Sequence, residues 1–381
     1  MSLPPRATCV IVGGGVVGCS LAYHLAKHGL KALLLEAHEL AGGSTGRCAG
    51  GVRQQFSTHQ NVVLGMESRN LLLQFADETG VDPGFRQIGY LFVGTQPSHI
   101  ELFHRNVAMQ QAAGLRDVTF LEPDAIGELV PGIRKEDLLG GTYCPSDGIA
   151  SPNEVTTGYA TAARRLGAHI EENTQVVDIE VTESGAFRVI TGTHEIETGI
   201  VVDCAGAHAG AVGQMVGVPL PVLPYRRHIF VTEPLAEPLR IPMTVDFGTS
   251  FYAHPEGGGL LLGMSDPDEG SSFSTEVSWD FLEHLVEHAV WRLPALAGAG
   301  IKTGWAGLYE VTPDHQAIIG KTRVPGFWVS CGFSGHGFMQ APAAGAHLAD
   351  AIVADAIPEQ LVSFSLERFS SEQTEPELAV I

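Results

Sequence analysis

The chain has 381 residues, 44% hydrophobic and 17% charged, with 43 Asp and Glu against 22 Lys and Arg and a formal net charge of −21. Such a length leaves room for two domains with sizeable cores, and the composition excludes the disordered and fibrous classes. So acidic a surface repels phosphate backbones and anionic lipid, no apolar run reaches the ~18–20 residues of a membrane span, and the polar start Met-Ser-Leu-Pro-Pro-Arg-Ala-Thr does not read as a secretory signal, so the expectation is a cytoplasmic protein with no nucleic-acid partner and no membrane span.

Taken in chain order, Cys9 to Val12 is a short apolar run of the buried parallel-strand kind. Glycines follow, and Val17, Leu21 and Leu25 then recur at helical spacing up to Gly29, which reads as a C-cap. Lys31 to Glu36 is a second apolar strand, ending in an acid. Two parallel strands with a helix between them open a doubly wound sheet. Residues ~60–80 and ~97–113 read as helices. Gln175–Val181 and Ala186–Thr191 alternate as strands of a small antiparallel meander, and Val201–Cys204 returns to a buried strand. Ile229–Val231, Ser250–Ala253 and Leu260–Leu262 read as further strands, Trp279–Leu293 as a helix stopped by Pro294, and Ala343–Val353 as the final helix. Ser370 to Ile381 reads as a loose acidic tail. The cysteines at positions 9, 19, 48, 144, 204 and 331 form no CxxC unit, so the common zinc spacings are missing and buried thiols are expected.

Gly13, Gly15 and Gly18 form G-x-G-x-x-G directly after the first strand and at the start of the first helix. The first glycine permits the tight turn, the second admits a pyrophosphate to the backbone, and the third lets helix and strand pack closely, while the helix N-terminus offers partial positive charge. Glu36 closes the second strand eighteen residues after Gly18, where a carboxylate accepts hydrogen bonds from adenosine ribose hydroxyls. The small and hydroxyl residues of Gly42-Gly43-Ser44-Thr45-Gly46-Arg47 suit a wrap around the pyrophosphate from its other side. An NAD dehydrogenase would continue into another helix and strand, and NAD remains a competing reading at this point.

Five blocks carry a family resemblance: Val-Ile-Val-Gly-Gly-Gly-Val-Val-Gly at the start, Gly43-Ser44-Thr45 through Arg53-Gln54-Gln55-Phe56, Asp203-Cys204-Ala205-Gly206-Ala207, Trp305-Ala306-Gly307-Leu308-Tyr309, and Gly332-Phe333-Ser334-Gly335-His336-Gly337-Phe338. On these the chain resembles the D-amino-acid-oxidase-like family of FAD-dependent oxidoreductases over nearly its whole length. Gly-Val-Arg-Gln-Gln-Phe is most similar to β subunits of archaeal L-proline dehydrogenases and heteromeric sarcosine oxidases, and also to FAD-containing assembly factors of respiratory complex I. The resemblance implies an α/β fold: a Rossmann-like FAD-binding domain in pieces (1–85, 145–220, 305–381) with an inserted substrate domain (86–144, 221–304) on a mixed, mainly antiparallel sheet. It implies FAD contacts from Gly13, Gly15, Gly18, Glu36, Gly43, Ser44, Thr45, Arg47, Val177, Ala205, Gly206, Gly332, Ser334, Gly335, His336 and Gly337. Three glycines in Gly332–Gly337 suit a backbone that approaches a flat ring closely, against the plainer reading of a flexible turn. Relatives that anchor flavin covalently use a His or Cys where this chain has Gly46-Arg47-Cys48, Lys302–Trp305 or Pro152, so non-covalent FAD is expected.

Amino-acid oxidation needs a cation for the carboxylate, a dry pocket at the flavin and loss of the amine proton. By the resemblance Arg53 is the carboxylate candidate, a guanidinium being suited to bidentate pairing; the alternative is an arginine bridging two segments. Tyr252 either offers its hydroxyl to the pocket or packs in its strand, and His336 orients a neighbour or packs beside the flavin rather than acting as a base. Two cations of the relatives are replaced here by Met339 and Tyr309, which leaves a thinner clamp. Leu261 stands where monomeric sarcosine oxidase has the lysine that stabilises the oxygen anion, which implies a dehydrogenase-like enzyme. The expected function is FAD-dependent oxidation of a small secondary or N-methylated amino acid such as sarcosine or proline, with electron-accepting partner subunits. The alternative is an assembly or carrier flavoprotein with little turnover of its own.

Overall fold

Six strands form the first sheet, in the spatial order Ile318–Lys321, Phe327–Cys331, Val201–Asp203, Val10–Val12, Leu33–Leu35, His169–Glu171. All neighbours are parallel except the first two strands. This computed structural model describes residues 3–370 and 374–380. The strands are short and apolar because both faces are covered, as a parallel sheet requires. Ile11 joins the apolar group under the helices, while Val10 and Val12 point into a second group on the opposite face. The first helix, Val16–Lys27, is buried along nearly all of its length because helices Pro152–Arg165 and Gly337–Ala354 pack on it. A four-stranded sheet (Arg6–Ala7, Glu195–Thr198, Phe187–Thr191, Val176–Val181) supplies Val176, Ile179, Phe187 and Val189 to the group on the other face. The opening βαβ unit and the antiparallel meander therefore form as the apolar pattern predicts.

The second large sheet has eight strands, in the order Ile301–Val311, Leu223–Thr232, Gly259–Met264, Tyr252–Glu256, Met243–Asp246, Tyr90–Gly94, Gly140–Cys144, Thr119–Leu121. One neighbouring pair, Met243–Asp246 with Tyr90–Gly94, is parallel and the rest are antiparallel. Helix Trp279–Arg292 covers one face through Phe281, Leu285 and Ala289. The other face carries Tyr90, Ile229, Met243, Tyr252 and Leu261. The helices expected near 60–80 and 97–113 appear as His59–Leu73 with Phe75–Thr79, and as Pro97–Ala112. Among the described residues, no helix is long and apolar enough to cross a membrane.

Three expectations need correction. The strand read from Ser250 starts at Tyr252, because Ser250 adopts a left-handed backbone (φ 60°) in the turn before it. The last long helix begins at Gly337 and runs through Pro342. Ser68 from a distant helix repairs the gap in its hydrogen-bond ladder: its Oγ donates to the Gln340 carbonyl (3.1 Å) and accepts from the Ala343 amide (3.1 Å). A further short helix, Glu359–Val362, follows it. Nor does the tail hang free where it is described; residues 371–373 and 381 of that stretch lie outside the described residues. Glu377 is buried, and its carboxylate accepts from the Ser57 amide (2.7 Å), Thr58 Oγ1 (3.0 Å) and Asn61 Nδ2 (2.9 Å). Those donors offset the desolvation of a buried carboxylate, so an acidic composition did not mean a solvated segment.

Candidate functional site

The glycine-rich turn is built to a tolerance that excludes a methyl group. Gly13 has φ +111°, and a Cβ there would come within 2.4 Å of the Cys204 carbonyl oxygen. A Cβ on Gly18 would lie 2.0 Å from the Gly13 oxygen, so helix and strand meet at backbone contact. Gly15 faces Thr45, whose Oγ1 accepts from the Val16 amide (3.2 Å) and holds the Thr45–Arg47 turn against the helix N-terminus. Nothing lies within 4 Å of a Cβ on Gly43. At the end of the second strand Glu36 accepts from the Gly14 amide (2.6 Å) and the His38 amide (2.9 Å). Val177 is half-exposed at a bulge in the meander, three residues past Thr174, whose amide donates to the Glu36 carbonyl (2.7 Å). Ala205 and Gly206 adjoin the turn through the Cys204–Gly13 contact, and the Ala205 amide donates to Asp203 (3.0 Å).

From the helix start a cavity opens between the two sheets, with about 1020 Å³ of space partly open to solvent. Ser44, Thr45 and Arg47–Gly51 border one side and Gly335–Met339 another. The eight-stranded sheet contributes Tyr90, Arg227, Ile229, Met243, Tyr252 and Gly307–Glu310. Within the Gly332–Gly337 loop only Gly335, His336 and Gly337 reach this cavity. Gly332 donates its amide to Glu310 (3.1 Å), and fully buried Ser334 turns its hydroxyl to the Thr312 amide (3.1 Å). Gly335 (φ +92°) leaves room for the Tyr309 ring, 2.3 Å from where a Cβ would stand.

Arg53 and His336 meet here from positions 283 residues apart. Arg53 is buried beneath the Phe56 ring (4.3 Å), and its Nη2 donates to His336 Nε2 (2.9 Å) and to the Ala379 carbonyl of the tail, while Nη1 donates to the Gln55 carbonyl. Burial, helped by the Arg53 charge, holds the His336 ring well below its ordinary pKa, so it is the neutral acceptor of that bond. Burial likewise pushes the Tyr252 and Tyr309 hydroxyls up, and both stay protonated. Burial raises Glu310 to about 7 and Asp203 to about 8; the Gly332 and Phe333 amides pull Glu310 back in part. Arg227 escaped the sequence reading. It shares a strand face with Ile229, and that alternation, with its neighbour Arg226, was the available signal.

The buried acids set a pH dependence. A carboxyl whose folded pKa exceeds its unfolded value stabilises the fold below the unfolded value, and that stability is lost as pH rises through the folded pKa. For Glu310 and Asp203 the loss extends to about 7 and about 8. Buried His24, lowered by desolvation to about 4, acts oppositely but is finished above the ordinary histidine value of 6.5. Thermal melts should therefore fall between pH ~6.5 and ~8, and Asp203→Asn should flatten the fall. A melting temperature rising over that window would contradict the assignment.

A tight glycine turn ahead of a helix N-terminus, an acid closing the next strand, and an adjoining cavity fit FAD, and they define a dinucleotide-binding redox protein. Residues 8–351 match the family described as FAD dependent oxidoreductase, and the chain belongs to that family. It is 31% identical to human mitochondrial sarcosine dehydrogenase over 98% of its own length and 42% of that protein's, so it spans less than half of this relative. It is 28% identical to sarcosine oxidase subunit beta of an Arthrobacter species, covering 95% of this chain and 91% of that one. Among solved structures, L-proline dehydrogenase from P. horikoshii superposes with a TM-score of 0.91 at 31% identity, covering 97% of this chain and 99% of that one. The chain is thus an FAD-dependent oxidoreductase, which removes the NAD reading.

Proposed function

We propose that the chain oxidises a small secondary or N-methylated amino acid, such as sarcosine or proline, the amine-bearing carbon giving a hydride to flavin N5 and the amine losing a proton to form the imine. One observation supports this above the others: in a chain of net charge −21, the cavity is bordered by Arg47, Arg53 and Arg227 against a single acid, Glu310. That lining attracts a carboxylate. Bound FAD supplies the two-electron acceptor. Gly13, Gly15, Gly18, Glu36, Gly43–Thr45, Arg47, Val177, Ala205, Gly206 and Gly335–Gly337 hold it in this reading, Gly332 and Ser334 fix the loop from behind through Glu310 and Thr312, and Tyr90, Met243 and Tyr252 keep water from the reacting carbon. His336 keeps Arg53 in place. Anaerobic addition of sarcosine, L-proline, other N-methyl amino acids or glycine should bleach the flavin, and no bleaching with any of them sinks the proposal. The resemblance to a sarcosine oxidase β subunit supports a chain that hands electrons to partner subunits.

FAD is held without a covalent bond in this reading. The thiol beside the flavin site, Cys48, is pushed by burial up to about 11, so it remains protonated at neutral pH and is a poor nucleophile. Acid precipitation should leave the yellow chromophore in the supernatant; colour retained in the pellet would show a covalent link. Turnover is dehydrogenase-like, because buried Leu261 packs in the apolar group with Ile229 and Tyr252 and brings no charge to the oxygen reaction. Stopped-flow mixing of substrate-reduced protein with air-saturated buffer should show reoxidation at least ~100-fold slower than reduction, about 2.7 kcal/mol in barrier. Reoxidation keeping pace with reduction would refute this.

A further inference from the structure

We infer that Arg227, not Arg53, anchors the substrate's carboxylate; the inference rests on the amino-acid reading above and names the group that confers it. Arg53 has little left to offer, since both Nη2 protons are committed, to His336 and to the Ala379 carbonyl, and Nη1 is bound to Gln55. The terminal end of its planar fork is taken up by two backbone carbonyls and the His336 ring, and bidentate carboxylate binding needs two free parallel N–H groups. Arg227 is in the opposite condition. Both arginines have a buried Nε without a partner, but Arg227 Nη1 donates only to the neighbouring Arg226 carbonyl (2.9 Å), no protein acceptor is seen on its Nη2, and among the described residues it has no ion pair. Arg226 beside it shows the usual alternative, an ion pair with Glu269 at 2.9 Å. A half-buried guanidinium that borders a cavity and has no ion pair is a costly arrangement unless an anion completes it.

The setting aims that anion. Arg227 lies over the Tyr309 ring, 5.2 Å from its centre, which fixes the plane of the guanidinium. Directly across the strand pair stands Gly307, where a Cβ would come within 3.0 Å of Arg47 Cβ, so the missing side chain lets Arg47 pack close on the strand that pairs with Arg227. The walls beyond are Ile229, Met243 and Tyr252, with no acid among them to hold a basic side chain. The substrate class is accordingly a monocarboxylic amino acid whose remainder is small and apolar, the α-carboxylate on Arg227.

The test uses the purified FAD-loaded protein and pyrrole-2-carboxylate, a planar carboxylate that is not oxidised, read as a shift of the visible flavin spectrum. Wild type should give a saturable titration; Arg227→Gln should weaken it at least ~100-fold, and Arg227→Lys ~10-fold, each with the FAD-to-protein ratio and melting temperature of wild type. The neutral pyrrole-2-carboxamide should bind wild type and Arg227→Gln equally weakly. Binding of the carboxylate to Arg227→Gln within threefold of wild type overturns the inference, as does a wild-type spectrum that pyrrole-2-carboxylate leaves unmoved. Should the carboxylate bind through Arg227 while no amine bleaches the flavin, the anchor stands and the oxidation reading falls. Should amines bleach Arg227→Gln with unchanged half-saturation, the oxidation reading stands and the anchor falls.

Discussion

Gly18→Ala is expected to purify with under about a tenth of the wild-type FAD content, measured as the ratio of visible to ultraviolet absorbance. The added methyl would lie 2.0 Å from the Gly13 carbonyl oxygen, a distance no Cβ tolerates. That oxygen belongs to backbone, and the turn carrying it is pinned by the Gly13 amide on the Leu35 carbonyl (2.9 Å). Either the helix lifts off the sheet or the turn deforms; both take the helix N-terminus away from the pyrophosphate. Overpacking of this kind costs about 1–3 kcal/mol, so the variant should also melt several degrees lower. Full FAD retention would show that the close approach is dispensable.

Arg292→Ala is the second large effect. Arg292 is 2% exposed and ties Asp246, 3% exposed, to Asp137. Its Nε and Nη2 reach Asp246 (2.8 and 2.7 Å), its Nη1 and Nη2 reach Asp137 (2.8 and 3.0 Å), and Nη1 also bonds the Arg134 carbonyl. Removing the arginine strands the Asp246 charge in the interior, which typically costs about 3–5 kcal/mol. Asp137→Asn should cost less, because that carboxylate is partly in water. Urea unfolding of the two variants checks the ranking; an Arg292→Ala loss below about 1 kcal/mol would mean that Asp246 finds another partner or takes up a proton.

Local chemistry was legible in the sequence, and long-range bonding was not. Val10–Val12, the glycines and Leu33–Leu35 declare themselves because apolar runs and a tight turn are properties of adjacent residues. The Gly337–Ala354 helix hides its first turns because Ser68, 275 residues from Ala343, supplies the bond that makes Pro342 tolerable. Glu377 reads as solvated until Ser57, Thr58 and Asn61 are folded against it. Family motifs pointed to Arg53, but no motif says that its Nη donors are engaged by Gln55, His336 and Ala379. Arg227 belongs to no motif, and only strand register brings it opposite Gly307.

The tail that meets Arg53 also bears on how the protein can be handled. A sequence fused after position 381 is separated by only two residues from Ala379, whose carbonyl receives the Arg53 guanidinium. A carboxy-terminal affinity tag, fluorescent reporter or surface tether therefore pulls on the peptide that seats this arginine, and through it on the His336 ring at the cavity edge. Extensions before Arg6, where the side chain is exposed on the four-stranded sheet, leave that seat alone. Attachment chemistry for this enzyme belongs at its amino end.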